Sequence, residues 1–183
     1  MPNGLNNPND THNQTIVTTQ AIRSIEKLYC KQNNITLAQL MDQAGLAAWQ
    51  HAKKRWPKAS AWALFLGKGN NAGDAAVFAK HAHLAGDTVH LYLTDDTIKS
   101  PLLNEQLKQL KAHGILPKML PKTLPDDIDV VVDGLLGIRC NRPLSENIAN
   151  CVSMINESKR PILSIDIPSG VCADTGYVGN TAV

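Results

Sequence analysis

The first third of the chain repeats its apolar residues at helical spacing. Thr19–Asn33 puts Ala21, Ile22, Ile25, Leu28 and Tyr29 on one stripe. Thr36 is placed to cap a second helix carrying Leu40, Met41, Ala44, Ala47 and Ala48 to about Arg55, and Pro57 helps to end it. The period then changes. Ala61–Leu66, Ala-Trp-Ala-Leu-Phe-Leu, is an unbroken apolar run before a glycine, the pattern of a strand buried on both faces. Gly67–Asp74 reads as a loop, Ala75–Ala85 as a helix before Gly86, and Thr88–Leu93 as a second strand. Leu102–His113, with Pro101 near its start, reads as a helix. Ile128–Asp133 follows as a third strand, Glu146–Asn156 as a helix and Pro161–Ile167 as a fourth strand.

Strands that alternate with helices imply a Rossmann-like α/β fold, a three-layer α/β/α sandwich around a mainly parallel central sheet. Right-handed crossovers bring every loop that follows a strand to the same sheet edge. Ligands of such folds bind beyond the carboxyl ends of the strands. Attention therefore falls on the loops after Leu66, Leu93, Asp133 and Asp166.

Composition narrows the picture. With 183 residues, 43% hydrophobic and 19% charged, the chain suits one domain with its own core. Lys+Arg 18 against Asp+Glu 16 gives a formal charge of +2, which predicts neither nucleic acid nor an anionic membrane as partner. No apolar run nears the ~20 residues that span a bilayer. Residues 1–14 are Asn-rich and polar and read as a disordered leader without the features of a secretory signal. The domain is expected to occupy residues 15–183. Cys30, Cys140, Cys151 and Cys172 form no C-x-x-C pair and no zinc spacing, consistent with a reduced, cytoplasmic protein. His81 and His83, two apart on a helix, point in different directions and read as surface residues.

Three loops carry candidate chemistry. Gly67-Lys-Gly-Asn-Asn-Ala-Gly-Asp74 joins a strand to a helix, where glycines permit close backbone approach and a helix start offers N–H groups to an anion. It is neither a P-loop nor a G-x-G-x-x-G turn. Asn70, Asn71 and Asp74 add oxygens that can hold a hard cation or cap the helix. Val130-Val-Val-Asp133-Gly-Leu-Leu-Gly137 ends an apolar strand in an acid. Ser164-Ile-Asp166-Ile-Pro-Ser169-Gly170 does the same before a turn built on Pro168 and Gly170. Two acids at the ligand edge, beside an Asn-Asn loop, point to a site.

Together these segments resemble the YjeF N-terminal domain family, the NAD(P)H-hydrate epimerases. Gly69-Asn-Asn-Ala-Gly-Asp74 is close to the family's G-N-N-G-G-D, and Val132-Asp-Gly-Leu-Leu-Gly137 resembles V-D-A-L-F-G. Asp166-Ile-Pro-Ser-Gly170 matches D-I-P-S-G unchanged, followed by Asp174-Thr-Gly176, and Leu40-Met-Asp-Gln-Ala-Gly45 looks like L-M-E-x-A-G. Order and spacing agree from about Ile16 to Val183.

The resemblance implies an isomerase that interconverts the S and R epimers of hydrated NADH and NADPH, with a potassium ion (K+) as cofactor. Matched residue by residue, Asn71, Asp133 and Ser169 correspond to the potassium ligands. Asn70, Asn71, Ala72, Gly73, Asp74, Gly137, Ile138, Arg139, Cys140, Asn141, Arg142 and Asp166 correspond to substrate-contacting positions. Asp166 is the candidate acid/base, Asp133 chiefly an ion ligand, and Lys68 a candidate phosphate contact. A separate NAD(P)H-hydrate dehydratase is the implied functional partner, and a homodimer is compatible with the reading.

Departures from the family pattern are Ala72 and Ala75 in place of glycines, and Gly137-Ile-Arg-Cys140 in place of G-T-G-L. A Cβ at position 72 is costly if its backbone needs positive φ. The chain ends at Val183, short of the family's usual length, so a C-terminally shortened domain with an open sheet edge is expected. Two other readings compete: a non-catalytic binding module or catalytically impaired fragment of the same fold, and a dehydrogenase in which Asp95 or Asp96 binds the ribose.

Overall fold

The continuous apolar run does become the central strand. In the computed structural model, which describes residues 16–95, 97–138 and 143–183, β1 (Ala61–Leu66) is buried along its whole length. It pairs in parallel with β2 (Thr88–Leu93) on one side and β4 (Val130–Gly134) on the other. β3 (Lys118–Met119) extends the sheet beyond β2, and β5 (Ile162–Ser164) lies beyond β4. The order is β3-β2-β1-β4-β5, all parallel. The chain thus winds outward from β1 to β3, then returns to place β4 on the opposite side of β1. The crevice at such a reversal lies between the carboxyl ends of β1 and β4.

Alternate residues of the strands feed two cores. Trp62, Leu64 and Leu66, with Leu91, Val130 and Val132, meet α3 (Asn70–Leu84) and α4 (Pro101–Ala112), and α2 (Leu37–Arg55) packs outside them. Ala63, Phe65, Tyr92 and Val131 meet α5 (Glu146–Glu157) through Cys151, Val152 and Ile155. The three-layer arrangement follows from this period of two.

Several boundaries differ from those the sequence pattern predicts. The loop expected over Gly67–Asp74 is only three residues long, because α3 starts at Asn70 with Gly69 as its cap. Ala72 is therefore helical, outside the positive-φ residues, and fully buried, so its Cβ incurs no backbone strain. Asp74 lies in the second turn and does not cap the helix. The fourth strand stops at Ser164, and Asp166 sits beyond it with φ 67. The third predicted strand begins at Val130 rather than Ile128 and runs through Asp133 to Gly134. β3 was not expected; two exposed residues carry no strand signal.

The N-terminal helices match their predicted spans but not their predicted faces. α1 (Thr19–Asn33) buries only Cys30, and Ile25, Leu28 and Tyr29 are exposed. α2 has a complete capping box, Thr36 with Gln39, and buries Met41, Gly45 and Ala52. Gly45 is needed where α2 meets α3: a Cβ there would lie 2.5 Å from the Asp74 carbonyl and from Val77 Cβ. Met41 packs against Gly73 in the same crossing. No helix among the described residues is long and apolar enough to cross a membrane.

Candidate active site at the carboxyl edge of the sheet

Asp133 is the centre of the hydrogen bonding at the switch point. The register sets it between Phe65 on β1 and Ser164 on β5. Its carboxylate is fully buried and accepts four hydrogen bonds: from Ser169 Oγ at 2.7 Å, Ser169 N at 2.9 Å, Ser164 Oγ at 3.0 Å and Leu135 N at 3.1 Å. Burial pushes its pKa up, and those four bonds oppose the shift. Four donors use the lone-pair directions of both oxygens. The carboxylate therefore ties the turn after β5 to the loop after β4.

Ser169 continues the network. It is fully buried, and its hydroxyl accepts from Leu136 N at 2.9 Å while donating to Asp133. The Leu136 carbonyl accepts from Asn71 Nδ2 at 3.0 Å. Asn71, Leu136, Ser169 and Asp133 thus form one chain from α3 to β4. The other end of the Asn71 amide, Oδ1, is buried without a partner among the described residues. An orphaned buried carbonyl oxygen is unusual and calls for a ligand. The donors gathered here are all oxygens, which suits a hard cation, and no His/Cys/Asp/Glu cluster with metal-binding geometry occurs among the described residues.

Asp166 lies above this network. Its left-handed backbone is uncommon for a non-glycine residue, and such conformations gather at functional sites. The Asp166 carboxylate accepts from Ile138 N at 2.9 Å. Gly137 permits this approach, since a Cβ there would lie 2.6 Å from Asp166 Oδ2 and 3.4 Å from Asn71 Cβ. Burial raises the Asp166 pKa and the Ile138 hydrogen bond opposes it. Asp74 is pushed up to about 7, first by burial, then by the charges of Asp166 and Glu26.

On the β2 side of β1, Lys68 pairs with Asp95 at 2.6 Å, and Asp95 also accepts from Thr97 N at 2.8 Å. The bond from Lys68 is the largest of the interactions that hold the Asp95 carboxyl down, at about 2. The carboxylate that a dehydrogenase would direct at ribose is thus occupied by protein donors; Asp96 lies outside the described residues. Asn70 Oδ1 accepts from Ser100 Oγ at 2.6 Å, and Lys68 O accepts from the amides of Lys99 and Ser100. The loops after β1 and β2 are therefore clamped together.

A family profile described as "YjeF-related protein N-terminus" matches residues 37–183. The chain belongs to this family. Among curated YjeF-related relatives, a bifunctional NAD(P)H-hydrate repair enzyme of Leishmania major is 33% identical over 169 residues, covering 88% of this chain and 30% of the relative. An NAD(P)H-hydrate epimerase of Limosilactobacillus fermentum is 26% identical over 167 residues, covering 91% of this chain and 80% of the relative. The chain thus spans about a third of the bifunctional proteins and most of the single-function one. A crystal structure of a yeast protein, YNL200c, superposes with a TM-score of 0.81 at 22% identity, covering 92% of this chain and 76% of that one, and shows the fold to be shared.

The YjeF-related fold brings Asn70, Asn71, Asp74, Asp133, Gly137, Ile138, Asp166 and Ser169 to one edge of the sheet. Arg139, Cys140, Asn141 and Arg142 lie outside the described residues. Ala72 and Gly73 turn inward, buried on α3. Two contributors escaped the sequence reading: Ser164, which donates to Asp133, and Ser100, which fixes Asn70. The Ser164 signal was available in the spacing, because a residue two before Asp166 on a parallel strand falls opposite Asp133. Ser100 offered none beyond its fitness as a helix N-cap before Pro101. His81 stacks on Trp49 with centroids 6.0 Å apart, while His83 is exposed.

Proposed function

We propose that this chain is an NAD(P)H-hydrate epimerase that interconverts the S and R forms of hydrated NADH and NADPH. One observation carries the reading: Asp166 is held in a left-handed turn with its carboxylate over Gly137, facing the first turn of α3 at the switch point. The curated relatives named for NAD(P)H-hydrate repair or epimerisation support the choice of substrate.

The hydrated ring carries a hydroxyl on the carbon beside nitrogen, a hemiaminal centre. Protonating that hydroxyl lets it leave as water while the nitrogen lone pair forms an iminium bond. Water then adds to the other face and gives up a proton. Asp166 supplies proton transfer in this scheme. Its raised pKa keeps it closer to neutrality than an ordinary aspartate. Asp133, saturated by four donors, holds the loops rather than moving protons. Lys68, paired with Asp95, would meet a substrate phosphate by exchanging partners.

Potassium fits the oxygens present. Asn71, through its orphaned Oδ1, with Ser169 and Asp133, would hold it, one Asp133 oxygen giving up a protein donor to the ion. When bound it would fix the loops and offset carboxylate charge. The product would pass to a dehydratase.

Asp166→Asn tests the assignment. The variant should fold and still bind the hydrate, while epimerisation falls by ~10²–10⁴-fold, the usual contribution of one positioned proton-transfer group. Chromatographic separation of the two epimers over time reads this directly. Equal rates for wild type and variant would remove it.

A further inference from the structure

We propose that Asp74 is a second catalytic carboxylate, paired with Asp166 across the cleft between the start of α3 and the loop at Gly137. The inference rests on the epimerase reading and adds the partner that a two-face reaction requires.

The helix places Asp74 correctly. Asn71 and Asp74 are three residues apart on α3, so their side chains share one face. Gly137 touches that face: the Cβ it lacks would meet both Asn71 Cβ at 3.4 Å and Asp166 Oδ2 at 2.6 Å. Asp166 thus leans over the same stripe of α3 that bears Asp74.

Asp74 also lacks a structural employment. Asp133 shows what a structural carboxylate looks like here, with four donors at 2.7–3.1 Å. Asp74 is largely buried, yet its carboxylate receives no hydrogen bond from any described residue. α2 closes over it at Gly45, within 2.5 Å of its backbone carbonyl for a Cβ, and brings no donor. Among the described residues, the charged groups that bear on it are Asp166 and, from α1, Glu26, both acidic. On α2, Asp42 is engaged with Lys80 at 3.5 Å and Gln106 at 3.1 Å. Among the described residues no cation offsets Asp74, and burial with like charge pushes its pKa to about 7. Two carboxylates that repel one another in this way ionise in turn, one staying neutral while the other is charged.

That state is what epimerisation needs. The neutral acid gives its proton to the ring hydroxyl; the C–O bond breaks with its electron pair on oxygen, water leaves, and nitrogen forms the C=N bond. The ionised acid takes a proton from a water attacking the opposite face; the new C–O bond forms and the π pair returns to nitrogen. Nothing is consumed, and the pair ends with its proton exchanged. The opposite direction starts from that second protonation state.

Asp74→Asn in the full chain tests this. The expected loss is ~10²–10⁴-fold in both directions, since a catalyst cannot shift the equilibrium. Hydrate binding should persist, and the limb of the pH–rate profile near 7 should vanish, which a merely structural role would not cause. Asp74→Glu should recover part of the rate together with that limb. An Asp74→Asn enzyme within a few-fold of wild type, or a profile unchanged in shape, overturns the inference. If Asp166→Asn is inactive while Asp74→Asn is not, only this inference falls. If wild type fails to interconvert the epimers, the epimerase reading falls and takes the pairing with it.

Discussion

Three aspartates at one sheet edge have three different environments, and the differences are physical. Asp133 is saturated with donors, Asp166 takes one backbone N–H, and Asp74 takes none from the described residues. The Asp74 pKa, about 7 against 3.8, has a consequence for stability. Between those values the folded chain holds a proton that the unfolded chain has released. Stability from this group is therefore lost as pH rises from about 4 to 7, and above 7 the deficit is constant. At about 1.36 kcal/mol per pKa unit, the full deficit is on the order of 4 kcal/mol. Asp74→Asn should be more stable than wild type at pH 8, with the gain shrinking toward pH 4 in urea titrations. A variant less stable at pH 8, or a gain independent of pH, would contradict this account. Asp133 and Asp166 were legible in the sequence because an acid that ends a buried apolar run has few other reasons to be there, and Ser169 was singled out through the family resemblance. The environment of Asp74 was not legible, since it depends on α2 closing over α3 at Gly45.

At the scale of elements, the sequence pattern located every helix and all strands except β3 among the described residues. It misplaced the start of α3. Asn-Asn-Ala-Gly favours turns because Asn side chains compete for backbone hydrogen bonds and glycine loses more entropy. Packing decided otherwise: Met41 of α2 lies on Gly73, and Gly45 faces Val77, so tight contact between the helices winds the segment. The opposite failure appears in α1, whose amphipathic stripe predicts burial yet stays exposed at Ile25, Leu28 and Tyr29. Apolar period reports the capacity to pack, not the presence of a neighbour. α1 is instead fastened by its first turn. Asp174, in the turn near the C-terminal end, accepts from Thr19 N and from Thr19 Oγ1, both at 2.8 Å. These bonds hold its carboxyl below the usual range. Asp174→Ala should speed amide hydrogen exchange across Thr19–Asn33 while leaving β1 protected. Unchanged exchange in α1 would show that another contact holds it.

At the scale of the molecule, function follows from strand order. Placing β4 beside β1 after an excursion through β2 and β3 opens the crevice, and the same reversal delivers Asp133, Asp166 and the start of α3 to it. The fold class was legible because buried parallel strands read as continuous apolar runs. The proposed substrate comes only through the resemblance of four short segments to a family, since glycines, amides and acids at a switch point suit many ligands. The proposed ion gives a global readout. Potassium bound only by the folded chain should raise Tm in proportion to RT ln(1 + [K+]/Kd), and Asn71→Ala should remove that dependence relative to a large organic cation. A potassium effect identical in the variant would place the ion elsewhere.

The most direct test of the central claim uses one epimer alone. The purified 183-residue chain is mixed with the separated R hydrate of NADH, and the appearance of the S form is followed against a protein-free control and against Asp166→Asn. The account predicts rapid relaxation to the equilibrium mixture with wild type, and a rate within reach of the spontaneous one with the variant. Wild-type relaxation no faster than the protein-free control would contradict it.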